Sequence, residues 1–136
     1  MDIERLKKYF KDDKYVELSG IEILEVTDSA AVIGAAILPC HLNANGVVQG
    51  GMLYTMADFA FAVLANNLHP VTVSQTGQIT YLSAAVTDYI TAEATEIARK
   101  GRNCVCNVVM KDNAGNIVCT AQFNGFIKTT DNEAKL

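Results

Sequence analysis

Between Asp28 and Asp88 the chain carries only one Asp, Glu, Lys or Arg, and that residue is Asp58, in the middle of the apolar run Gly51 to Leu68. Burying an unpaired carboxylate costs several kcal/mol unless hydrogen bonds or a raised pKa relieve it. A carboxyl group so placed is a candidate for proton transfer or nucleophilic attack. The bland alternative is a carboxylate that caps or bonds a backbone group across an interface. At helical spacing Gly51, Thr55, Asp58 and Ala62 share one face, a stripe of small or polar side chains among Met, Leu and Phe. A second chain or a ligand can approach such a stripe closely. The pair Gly50-Gly51 at the start of the run allows the same approach. A helix beginning there also presents unpaired N–H groups and the positive end of its dipole, which suit a polarised carbonyl or a developing oxyanion.

The helix bearing Asp58 is read from Gly51 to Leu68, rich in Ala, Leu and Met and stopped by Asn66-Asn67-Leu68-His69-Pro70. It is apolar almost all the way round, which predicts burial by a wrapping sheet or a partner chain. Ahead of it, Ile3, Leu6, Tyr9 and Phe10 recur at helical spacing, so residues 2 to 12 read as a short amphipathic helix. Tyr15 to Val26 and Ala30 to Leu38 read as strands of a hairpin, with Thr27-Asp28-Ser29 between them. Pro39 closes the second strand, and Cys40 to Gly51 reads as a loop. After Pro70 four further strands are expected at Val71 to Ala85, Tyr89 to Ala98, Asn103 to Lys111 and Ile117 to Lys128. Asp112-Asn113-Ala114-Gly115 is a good hairpin turn. The order of elements fits one antiparallel sheet curled round one helix, an α+β arrangement. Thr129 to Leu136 reads as a polar, frayed tail.

At 136 residues this is expected to be one domain over residues 1–136, with its core at about 15–128. Half the residues are hydrophobic, 19% are charged and mean hydropathy is +0.17, more apolar surface than a lone small domain buries, so an oligomer is expected. No apolar run reaches membrane-spanning length. The mixed charges of the N-terminus do not resemble a signal peptide, which predicts a cytoplasmic protein. A net charge of −4 argues against a nucleic-acid surface. Cys40, Cys104, Cys106 and Cys119 lack metal-site spacing and read as core thiols. Cys40 beside His41 makes a poor thiol–base pair, because neighbours at a strand end point apart and no third group orients them. His69 suits a helix C-terminus. Tyr54, Phe59, Phe61 and Tyr81 can line a pocket, although such spacings more often mark core.

The run Asn43-Ala44-Asn45-Gly46-Val47-Val48-Gln49-Gly50-Gly51, followed by Asp58, resembles the signature of hotdog-fold thioesterases of the phenylacetic acid degradation type, Asn-x-x-Gly-x-x-His-Gly-Gly and then an acid. Gln49 to Asp58 keeps the family's nine-residue spacing from His to acid. Gln78-Ile79-Thr80-Tyr81-Leu82-Ser83 and Arg99-Lys100-Gly101-Arg102 extend the likeness, over roughly residues 15 to 128. The resemblance implies a hotdog fold, an antiparallel sheet wrapped around one long helix, and hydrolysis of an acyl-CoA without metal or redox cofactor. It also implies a dimer or a dimer of dimers. The site would lie at the dimer interface, with Asn43 and the Gly50 amide of one chain facing Asp58 and Ser74 of the other. Asp58 would attack the thioester or activate a water, while Asn43 and Ser74 orient it. Gln49 replaces the family's usual His; it can hold the loop through its amide but cannot titrate near neutrality. Arg99, Lys100, Gly101 and Arg102 form a cationic turn, which either meets the CoA phosphates or is simply solvated.

Three other functions compete. A non-catalytic acyl-CoA binding or sensing module would leave Asp58, Asn43 and Ser74 together without purpose. A hydratase on the related fold needs an Asp and His pair, and this helix has no His. A purely structural subunit accounts for the apolar excess but not for the lone acid.

Overall fold

A computed structural model describes residues 3–128. The chain opens with α1 (Ile3–Phe10), which buries Leu6 and keeps its polar side in solvent. Tyr15 to Ser19 does not form the expected start of a strand. Residues Lys14–Ser19 are instead a second short helix, α2. The reason is local: Asp13 caps it by accepting the Val16 N–H at 3.1 Å, and Gly20 ends it in the left-handed region at φ 73°. Gly20 and Ile21 donate back to the Glu17 and Val16 carbonyls, and Val16 is the only β-branched residue between the two caps. The expected polar tail, residues 129 to 136, lies outside the described residues, as does Asp2.

Strand β1 (Glu22–Val26) pairs with β2 (Ala31–Ala36) across a turn in which the Thr27 hydroxyl accepts the Ser29 and Ala30 N–H groups. A 3₁₀ turn at Pro39–His41 and a loop lead into α3 (Gly50–Leu68). Then follow β3 (Thr72–Tyr81), β4 (Tyr89–Lys100), β5 (Asn103–Asp112) and β6 (Ile117–Ile127). All pairings are antiparallel, in the order β1-β2-β4-β5-β6-β3. β3 ends earlier than the sequence suggests because Tyr81 stands opposite Cys119 and β6 begins only two residues before it, so the ladder runs out of partners.

The sheet wraps α3. Met56, Ala57, Ala60, Phe61, Val63 and Leu64 are buried against it, and β5 alternates buried and half-exposed positions as a strand with one core face must. Phe61 stacks on Phe123 at 5.5 Å and lies over Gly125, where an added Cβ would meet Phe61 Cζ at 2.6 Å. One side of the helix stays open: Gly51, Tyr54, Thr55, Asp58 and Ala62 are only half-buried or exposed. Beside it lies β3, an edge strand with Val73 to Gln78 exposed. Together they form an uncovered face of one helix stripe and one sheet edge.

α3 ends at Leu68, as expected, with the Asn66 and Asn67 side chains both buried in its last turn. Asn66 has long-range partners there. Its Nδ2 donates to Ala62 O at 2.9 Å and Thr72 O at 3.1 Å, and its Oδ1 accepts from Thr72 N at 2.9 Å. One amide thus splices the end of α3 to the start of β3. Asn66→Ala is expected to leave the buried Thr72 groups unpaired and to cost about 1–3 kcal/mol. Urea denaturation would show this as a lower midpoint at unchanged slope; an unchanged midpoint would mean that water replaces the amide without loss.

Candidate active site

Asp58 sits near the middle of α3, on its open side. Ser74, two residues into β3, lies near Asp58, and its hydroxyl favours the ionised carboxylate. β3 is positioned for this by the Asn66 splice and by a register shift against β6 between Ser74 and Thr76, a bulge of the kind that re-aims side chains near functional sites. Burial pushes the Asp58 pKa above its ordinary value of 3.8; the charge of Asp13 at the start of α2 adds to the rise, and the Ser74 hydroxyl opposes it. A raised conjugate-acid pKa makes the carboxylate a stronger base. Ser74→Ala is therefore expected to move the acidic limb of the pH–activity profile to higher pH, because the opposing hydrogen bond is lost. A limb that stays put would separate Ser74 from the ionisation of Asp58.

The loop before α3 is built around Asn43. Its Oδ1 accepts from Asn45 N at 2.9 Å and Val47 N at 3.3 Å, and Gly46 takes φ 77° to close the turn. Gln49 is the N-cap of α3: its Oε1 accepts the Gly51 N–H, and its own N–H donates to His41 O at 2.8 Å. Among the described residues no acceptor meets the Gly50 N–H, which stands at the positive end of the helix dipole. Two cavities flank this terminus. One of about 510 Å³ is lined by Tyr15, Leu18, Cys40, Gln49, Gly51 and Met52. The other, about 350 Å³, is lined by Val47, Gly50, Leu53, Tyr81, Leu82 and Ala85 among others. A larger cavity of about 600 Å³, over Phe10, Ile21, Ile23 and Phe59, touches none of Asn43, Gln49, Gly50, Asp58 and Ser74.

Asn43, Gln49 and Gly50 thus lie together at one end of α3, and Asp58 and Ser74 lie together further along it. Asp58 lies eight positions after Gly50, about 12 Å along a helix axis. One chain's Gly50 amide and its own Asp58 cannot both reach one reacting carbon, each needing to lie about 3 Å from its target.

The cationic turn joins β4 to β5. Gly101 takes φ 60° at the first position of this two-residue hairpin. Arg102 is exposed but tied down, donating to Ile127 O at 3.1 Å and Lys128 O at 2.7 Å with its guanidinium 6.0 Å from the Phe126 ring centroid. Arg99 reaches only the Gly101 carbonyl, at 3.4 Å, and Arg99 and Lys100 are exposed.

His41 is a clasp: its Nδ1 accepts from Leu38 N at 3.0 Å, so its Nε2 carries the proton donated to Ser19 O at 2.9 Å. Cys40 is exposed, unlike the buried Cys104, Cys106 and Cys119. The expectation of a core thiol fails there because the 3₁₀ turn points His41, its neighbour, inward. His69 caps α3 and pairs its Nε2 with Glu96 Oε1 at 2.7 Å. No group of three His, Cys, Asp or Glu side chains among the described residues could hold a metal ion, and no described helix is long and apolar enough to cross a membrane.

Residues 45–119, more than half of the chain, match the family model of the thioesterase superfamily. The chain belongs to that superfamily. It is accordingly a thioester hydrolase with the hotdog fold. A protein of Archaeoglobus fulgidus named as an inferred esterase is 31% identical over 122 residues, covering 88% of this chain and 79% of the relative. Escherichia coli PaaI, from the phenylacetic acid degradation operon, superposes with a TM-score of 0.87 at 20% identity over 93% of each chain, and shares the fold. A thioesterase of Streptococcus pneumoniae, itself assigned by hypothesis and solved with coenzyme A, superposes with a TM-score of 0.80 at 26% identity, covering 89% of this chain and 98% of that one.

Proposed function

We propose that this hydrolase cleaves acyl-CoA thioesters to a free carboxylic acid and CoA, in sites shared between two copies of the chain. The observation that carries this reading is a half-buried carboxylate of raised pKa on an uncovered helix stripe, about 12 Å along the axis from a free helix-terminal N–H. A second copy seated on the open face of α3 and β3 brings its own Gly50 terminus to Asp58. The Gly50 N–H of one chain then donates to the thioester carbonyl oxygen, while Asp58 of the other attacks the carbonyl carbon or takes a proton from the water that does. Thiolate leaves readily from the tetrahedral adduct, and the carbonyl has little resonance to lose. Ser74 holds the carboxylate, Asn43 shapes the loop, and Gln49 does as N-cap what requires an acceptor and no titration. Arg99 and Lys100 are the side chains of the cationic turn left to meet CoA phosphates. The solved coenzyme A complex of the streptococcal protein supports CoA as the carrier.

The test is thiol release from aryl, short-chain and medium-chain acyl-CoAs. Turnover of at least one class is expected. Tight binding of these esters with no thiol released would favour a non-catalytic acyl-CoA binding module instead.

A further inference from the structure

Tyr81 is the last residue of β3, and its hydroxyl donates to Gly50 O at 2.9 Å. The peptide unit carrying that carbonyl ends in the Gly51 N–H, which donates to Gln49 Oε1. The 50–51 peptide is therefore held at both poles by side chains, one from the sheet and one from the loop. This matters because two consecutive glycines begin α3, and glycine is the least constrained backbone available. Nothing in their own side chains fixes how the first turn is rotated. Tyr81 also sits close enough that a Cβ at Gly50 would meet its Oη at 3.1 Å and its Cζ at 3.2 Å, so ring and backbone are in mutual contact.

We propose that Tyr81 is a positioning residue for thioester hydrolysis: by gripping the Gly50 carbonyl it sets the direction in which the neighbouring Gly50 N–H meets the substrate's carbonyl oxygen. The inference rests on the reading of Gly50 as the polarising donor. An oxyanion donor acts through a separation of about 2.7–3.1 Å to the developing charge, and a small rotation of a glycine peptide forfeits that geometry. Burial, helped by Cys119 and Tyr54, moves the Tyr81 pKa above 10.0, so its hydroxyl keeps the proton it donates throughout the neutral range. The ring borders the 350 Å³ cavity together with Gly50, which places this grip at the edge of the site.

Tyr81→Phe removes the hydroxyl and keeps the ring. With an acyl-CoA that the wild type hydrolyses, kcat is expected to fall about tenfold at nearly unchanged KM, since the lost alignment matters mainly as charge develops. Gly50→Ala, which drives a methyl group against Tyr81, should lower kcat in the wild-type background and lower it less in Tyr81→Phe, because both changes disturb one peptide. A purely structural tie would lower the melting temperature and leave kcat per folded molecule intact, with additive losses. Full kcat in Tyr81→Phe from an active wild type overturns this inference alone. A wild type that releases no thiol while Tyr81→Phe also releases none overturns the reading of Gly50 and the inference with it.

Discussion

Asp58→Asn is expected to lower kcat/KM for acyl-CoA hydrolysis by about 10²–10⁴, the range over which a positioned acid–base group acts. The substitution keeps the shape of the side chain and an acceptor for the Ser74 hydroxyl. It removes both the negative charge and the ability to take a proton. Stability should move the other way. Because burial raises the folded-state pKa of Asp58 above 3.8, the native state binds this proton more tightly than the unfolded chain does. Stability from this group is therefore fully present below 3.8 and is lost as pH rises through the raised value. At neutral pH the wild type carries the penalty of an ionised, partly desolvated carboxylate beside Asp13, and the amide does not. Asp58→Asn should melt at the same temperature as the wild type or higher at pH 7, with the difference shrinking toward pH 4. A variant that is both inactive and markedly less stable would mean that the carboxylate holds the fold together, as the interface-bonding alternative requires.

The largest expected loss of stability comes from Phe61→Ala, at about 3–5 kcal/mol. Phe61 and Phe123 are each 1% exposed and stack at 5.5 Å, joining the middle of α3 to β6. Gly125 leaves its Cβ position to the Phe61 ring, and any side chain there would occupy the same space. Truncation opens a cavity between a helix and a sheet, neither of which can move inward without breaking other contacts. For a domain whose total stability is on the order of 5–15 kcal/mol, that is a large share. Urea unfolding followed by circular dichroism would show it as a fall in midpoint. A loss below about 1 kcal/mol would show that the sheet collapses onto the helix after all.

The central features were legible because they are written in local sequence. A long apolar run with one acid in it can only be a buried helix presenting a carboxylate. The alternation in Cys104-Val105-Cys106 and Phe123-Asn124-Gly125 has the period of strands, and Asp112 to Gly115 has turn chemistry that the structure uses, with Gly115 at φ 87°. The loop residues 43 to 51 were legible as a motif. What could not be read depends on partners distant in the chain. Asn66 reads only as part of the polar end of the helix, because its partner Thr72 folds back to meet it from the next strand. Tyr81 looks like a core or pocket aromatic, because its contact with Gly50 spans 31 positions. Arg102 looks like a free cation, because its carbonyl partners lie 25 and 26 residues away. The helix α2 is hidden for a different reason. Its two caps, Asp13 and Gly20, are visible in the sequence, but six residues are too few for a periodic pattern to outweigh the strand that follows.

The most direct test of the central claim, that hydrolysis turns on the ionisation of Asp58, is the pH dependence of kcat/KM for thiol release by wild type and Asp58→Asn on the same acyl-CoA. The account predicts an acidic limb in the wild type governed by a group that titrates above 3.8, and a residual rate in Asp58→Asn, lower by two orders of magnitude or more, from which that limb is missing. A folded Asp58→Asn that hydrolyses at the wild-type rate with the same acidic limb would contradict it.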